Sequence, residues 1–177
     1  MTLANQLTVA RLLLAPVVVT CVIYARFGWA LAALALAGLT DAVDGAVARW
    51  RQEDSQLGAL LDPLADKVLV VSAVAILAAP LEGLTVRIPA WVAVAILARD
   101  AVILLVTGAY NLAVERRDFR PTRLGKWATA VNVTGIFWIL VANHLRLESA
   151  VTTIILGMMA ALTALTSIQY LVRVREL

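Results

Sequence analysis

Charge is scarce in this sequence: Asp, Glu, Lys and Arg together make up 15% of its 177 residues, well below the roughly 25% of an average soluble domain. Cysteine is almost missing, and the single Cys21, set in an apolar run, cannot form an intrachain disulfide and carries no redox message. Period-two alternation of polar and apolar residues is absent, which argues against strands. There is no low-complexity tract and no convincing internal repeat. The lone histidine, His144, falls in a short polar link and reads as a solvated loop residue. What the chain has in abundance is apolar side chain, 62% of the total, with a mean hydropathy of +0.89. At roughly 20 apolar residues per hydrocarbon crossing, there is room for six helices and no separate soluble catalytic domain. Any chemistry therefore falls to side chains on the spanning helices or their short loops.

Apolar runs place spans at 8–25, 28–49, 57–79, 89–110, 124–142 and 149–172. The breaks between them are Arg26 to Gly28, Trp50 to Gln56, Pro80 to Pro89, Asn111 to Arg123 and Asn143 to Glu148. The expected fold is an all-α integral membrane protein of six transmembrane helices, one domain over 1–177. The apolar start continues far beyond any small-residue cleavage pattern, so a removable signal peptide is not expected. In a six-span arrangement one side collects Arg11, Arg49, Arg51, Arg116, Arg117, Arg120, Arg123, Lys126, Arg173 and Arg175, the other only Arg26, Arg87 and Arg146. Both termini and the basic loops are therefore expected on the cytoplasmic side of the cell membrane. The net charge of +3 is read as orientation charge rather than a nucleic-acid surface. Trp29, Trp50, Trp91 and Trp127 lie near span ends, as interfacial anchors do.

Asp41, Asp44, Asp62, Asp66, Lys67, Arg99 and Asp100 remain inside expected helices. A charged group at a helix centre costs about 2.5–3.5 kcal/mol on insertion scales, so a cluster of them points to a cavity filled by water or metal. Asp41 and Asp44 stand three apart; Gly58, Asp62 and Asp66 recur every four; each set shares one helical face. With the intervening turn folding the helices antiparallel, Asp44 and Asp62 match at roughly 8 Å below the loop and Asp41 and Asp66 at roughly 12–14 Å. Gly45, Ala48 and Gly58 are small where the helices approach or a ligand passes. Four crowded carboxylates cannot all stay ionised without cations, and hard oxygen ligands favour Mg2+, with Mn2+ and Ca2+ as competitors. Arg49 adds a forked donor suited to phosphate, so the cluster reads as a diphosphate site.

The pattern Asp41-x-x-Asp44-Gly45-x-x-Ala48-Arg49, eight residues, then Gly58-x-x-x-Asp62-x-x-x-Asp66 resembles the signature of the CDP-alcohol phosphotransferase family. Asn5-Gln6-Leu7-Thr8-Val9-Ala10-Arg11 with Pro16 looks like that family's N-terminal segment. Leu61-Asp62-Pro63-Leu64-Ala65-Asp66-Lys67 looks like its phosphatidylglycerophosphate synthase and cardiolipin synthase branches. The resemblance implies transfer of a phosphatidyl group from CDP-diacylglycerol to an alcohol, with release of CMP. It implies two Mg2+ or Mn2+ ions held by Asp41, Asp44, Asp62 and Asp66, with Asp66 also the general base toward the acceptor hydroxyl. Gly45, Ala48 and Gly58 would leave space for the cytidine and phosphates, Arg49 would pair with the diphosphate, and Thr8 and Arg11 are weaker candidates for the donor head group. A homodimer is implied by the resemblance alone.

For the acceptor, Arg99, Arg123 and Lys126 are candidates to bind an anionic alcohol; the structural alternatives are pairing of Arg99 with Asp100 or with an Asp of the cluster, and a role in orientation alone for Arg123. Gly125-Lys126-Trp127-Ala128-Thr129 resembles phosphatidylglycerophosphate synthases, although Asn132 stands where a glutamine commonly follows. Arg99-Asp100 with Pro121-Thr122 looks more like cardiolipin synthases. The expected acceptor is glycerol 3-phosphate, chosen on the shortness of the chain and the commonness of that activity in this branch; phosphatidylglycerol is the alternative. A divalent-cation transporter is a remote rival, and gives no reason for Arg49 or the small residues beside the aspartates. An Asp-rich prenyltransferase is another, but those typically use two separated motifs.

Overall fold

The structure, a computed structural model, describes the backbone of residues 3–51, 56–113 and 123–175 and the side-chain surroundings of 9–40, 67–105, 124–170 and Val172. Among these residues there are six α-helices and no strand: α1 Leu3–Ile23, α2 Phe27–Arg51, α3 Gln56–Ala78, α4 Ala90–Ala113, α5 Arg123–Leu145 and α6 Ala150–Arg175. Each expected span is a helix, but the ends move. Helix α1 begins at Leu3 rather than at 8, and α5 continues to Leu145 rather than stopping at 142. Backbone hydrogen bonding continues where hydropathy has already fallen, so Asn143 and His144 belong to the last turn of α5 and not to a loop.

Helices α1 and α5 end in the same way. Ala25 (φ 54°) and Arg146 (φ 53°) take the left-handed conformation. The next amide in each case closes back onto the helix, Arg26 N to Cys21 O at 2.7 Å and Leu147 N to Ala142 O at 2.8 Å. This is a Schellman stop without glycine, which satisfies terminal carbonyls at some cost in backbone strain.

The helices sort into two compact units. In the first, Met1–Arg87 with Phe137–Glu148, α1 packs against both α2 and α3. The buried face of α1 is Arg11, Ala15, Val18 and Val22, at helical spacing. Ala30, Ala33 and Ala37 on α2 and Ala73 on α3 are buried too, and their small side chains let helix backbones approach. In the second unit, Ile88–Ile136 with Ser149–Leu177, α4 packs against α6. Its buried residues include Ile96, Arg99 and Asp100 on α4, Ala128, Asn132 and Ile136 on α5, and Met159, Thr163 and Thr166 on α6.

The outer faces are apolar as well. On α6, Val151, Ile154, Met158, Leu165, Ile168 and Val172 are all exposed along one side. Among the described residues, two stretches are long and apolar enough to cross a membrane, Leu124–Leu145 and Ala150–Tyr170. Shorter apolar stretches run over Val9–Ile23, Phe27–Thr40 and Lys67–Ala78.

One polar side chain holds the first unit's α3–α4 connection. Asn143 Oδ1 accepts from Thr85 N at 2.7 Å and Val86 N at 3.1 Å, while Nδ2 donates to Val86 O at 2.9 Å and Ile139 O at 2.8 Å. Asn143 is 2% exposed, so no water replaces these bonds if the amide is lost. Asn143→Leu is expected to destabilise the detergent-solubilised protein by about 3 kcal/mol, seen as a lowered Tm; an unchanged Tm would show that the connection does not need the amide.

Candidate active site

The signature residues occupy two helices. Asp41, Asp44, Gly45, Ala48 and Arg49 lie on the second half of α2, and Gly58, Asp62 and Asp66 on the first half of α3. Both stretches are helical throughout, so spacings of three on α2 and four on α3 place each set on one face. The side chains of these residues, and those of Thr8 and Arg123, lie outside the described residues.

Helix α1 is the common neighbour of α2 and α3, and it brings a cation. Arg11 is only 2% exposed and is among the largest fully buried side chains. A buried guanidinium needs negative charge close by, and the helices packed on α1 are the two that bear the four aspartates. Thr40, just before Asp41 on α2, turns its hydroxyl onto the Ala37 carbonyl at 2.8 Å. Lys67, just after Asp66, is half-buried.

Carboxylates are hard, oxygen-only donors of the kind that Mg2+ or Mn2+ takes. Among the described residues there is no other group of three or more His, Cys, Asp or Glu suited to a metal. The donor chemistry therefore fits the expected metal.

Residues 1–168 match the CDP-alcohol phosphatidyltransferase family. The chain belongs to this family. Among its relatives are a Streptomyces coelicolor protein named cardiolipin synthase (CMP-forming), 36% identical over 140 residues, and a Mycobacterium tuberculosis protein named putative cardiolipin synthase, 34% identical over 188 aligned positions. The first match covers 73% of this chain and 60% of the Streptomyces protein; the second covers 100% of this chain and 86% of the Mycobacterium protein. The human cardiolipin synthase (CMP-forming) is 50% identical over 70 residues, 39% of this chain and 23% of the human protein. These names are consistent with the branch that the Leu61–Lys67 segment resembles.

In the second unit the structure brings Arg99 to the first turn of α5. Arg99 Nη2 donates to the Gly125 carbonyl at 3.2 Å, and Nη1 lies 3.4 Å from Asp100 Oδ1. The same carbonyl accepts from Thr129 Oγ1 at 3.0 Å. Lys126, the next residue along, is exposed. Sequence reasoning used Gly125 and Thr129 only as subfamily markers. Their separation of four, a hydroxyl one turn after a carbonyl, was the available sign that they bond to each other. Asn132, named from the sequence only as a departure from a subfamily pattern, and Thr163, not singled out, are both buried with a side-chain oxygen lacking a hydrogen-bond partner.

Arg11→Met keeps the bulk of the side chain and removes its charge. It should destabilise the protein by about 3–5 kcal/mol, the usual result of leaving buried charge without its counterpart, and added Mg2+ should recover part of the loss. Equal Tm values for Arg11→Met and wild type in EDTA would contradict a charge-balancing role.

Proposed function

We propose that this family member is a metal-dependent phosphatidyltransferase of the membrane that joins CDP-diacylglycerol to phosphatidylglycerol, forming cardiolipin and releasing CMP. The observation that carries this reading is the spacing of Asp41, Asp44, Asp62 and Asp66 on two helices that pack on α1. The relatives' names fit phosphatidylglycerol, the alternative acceptor, better than glycerol 3-phosphate. Arg99-Asp100 and Pro121-Thr122 were the better guides to the acceptor.

Asp41, Asp44, Asp62 and Asp66 would hold two Mg2+ or Mn2+ ions. When bound, such ions draw charge from the diphosphate and stabilise the departing CMP oxygen. Arg49 pairs with the diphosphate, and Gly45, Ala48 and Gly58 leave room for the nucleotide. Thr8 and Arg11 belong to the donor side of the site. Asp66 takes the proton from the acceptor hydroxyl as its oxygen attacks the phosphorus bearing the diacylglycerol. Arg123 and Lys126 supply positive charge for the acceptor's phosphate.

Both substrates carry acyl chains, which explains the bilayer setting: the tails stay in hydrocarbon while the head groups meet the carboxylates. The exposed apolar faces, α6 above all, support six membrane crossings and a homodimer. The ten-to-three distribution of Lys and Arg supports a cell-membrane protein with both termini and the active site facing the cytoplasm.

The test is CMP release by purified protein with CDP-diacylglycerol and Mg2+, supplied in parallel with phosphatidylglycerol and glycerol 3-phosphate. Cardiolipin is the expected product, and EDTA should stop the reaction. Product with glycerol 3-phosphate alone would restore the other acceptor, and no CMP with either would end the transferase reading. Asp66→Asn should lower kcat by about 10²–10⁴-fold while CDP-lipid binding remains measurable; retained turnover would remove Asp66 as the base.

A further inference from the structure

Among the described residues of the second unit, Arg99 is a deeply buried cation. Its side chain is 3% exposed and that of Asp100 7%. Adjacent helix positions point in different directions, so this pair forms through the length of the arginine. Asp100 Oδ1, 3.4 Å from Nη1, balances the guanidinium, Nη2 donates to the Gly125 carbonyl, and Nε is buried without a hydrogen-bond partner. That carbonyl already receives the Thr129 hydroxyl, which makes Gly125 the point where the start of α5 is tied both to itself and to α4. The next residue, Lys126, is exposed, as are Leu124 and Trp127. The buried arginine thus holds the turn from which an exposed lysine projects.

We propose that Arg99 is a positioning residue: it sets the first turn of α5 and so the placement of Lys126 toward an anionic lipid acceptor, and does not itself touch the acceptor. This rests on the acceptor reading above, in which Lys126 meets a phosphate. A side chain sequestered to 3% exposure, with one nitrogen on a carboxylate and another on a backbone carbonyl, is poorly placed to receive a lipid phosphate diester. Its fork geometry suits the clamp, because guanidinium donors lie in one plane at fixed directions. Lysine keeps the charge but lacks the second directed donor, so it can face Asp100 or Gly125 but not both with the same geometry.

The test has two readouts. In a Cys21→Ser background, a nitroxide label at Leu124 should become markedly more mobile in Arg99→Met and Arg99→Lys, while a label at Val133 should not change. In the activity assay, Arg99→Lys should raise KM for phosphatidylglycerol about tenfold with KM for CDP-diacylglycerol and Tm close to wild type. Adding Lys126→Gln to Arg99→Lys should then cost about twofold or less, because the two residues act in series. A Leu124 label as immobile in both variants as in wild type overturns the clamp. Fully multiplicative effects of Arg99→Lys and Lys126→Gln overturn the positioning role and place Arg99 on the acceptor. Wild-type protein that releases no CMP with any acceptor ends the enzymatic reading, and the label mobilities still decide whether Arg99 fixes α5.

Discussion

A charged side chain buried among packed helices must be met by opposite charge or by directed hydrogen bonds, since a lone ion there costs several kcal/mol, comparable to the net stability of a whole domain. Nearly everything distinctive about this chain follows from that constraint. Its few charges are either placed at the ends of helices or gathered into sets. The largest set is acidic, on the two parts of the sequence motif carried by α2 and α3. Carboxylates crowded together repel one another unless cations balance them, and divalent metal bound by carboxylate, the proposal made for this set, is a natural partner of diphosphate.

The buried arginines show two responses to the same requirement. Arg11 lies on the buried face of α1, the helix packed against both carriers of the aspartates. Arg99 is balanced by its own neighbour Asp100 and gives one donor, Nη2, to the backbone of α5. One buried cation thereby lies on the helix shared by an acidic helix pair, and the other is bonded to a helix start.

Much of this was legible in the residues. Hydropathy located all six helices because long apolar runs interrupted by Pro, Gly and charge leave few other foldings. The aspartate spacing was legible because separations of three and four have one meaning on a helix, and the family membership of the chain agrees with it. Helix ends were less legible: a Schellman stop at Ala25 or Arg146 needs no glycine and so leaves no mark in composition. Asn143 looked like loop because asparagine favours turns, whereas its partners at Thr85 and Val86 are far away in sequence. The acceptor was the least legible part, because chain length says nothing about the head group a pocket admits, and the relatives' names fit the alternative, phosphatidylglycerol, better. Arg99 shows the general limit: its type and depth announced a role, but only the bond to Gly125 says which role.

The central claim is that carboxylates from α2 and α3 act together to bind the metal on which phosphotransfer depends. Its most direct test is electron paramagnetic resonance of Mn2+ titrated into the purified protein in lipid nanodiscs with CDP present. The account predicts saturable binding of two ions per chain, weakened alike by Asp44→Asn on α2 and by Asp62→Asn on α3. Binding that survives either substitution unchanged, or CMP release by a protein that binds no Mn2+ or Mg2+, would contradict it.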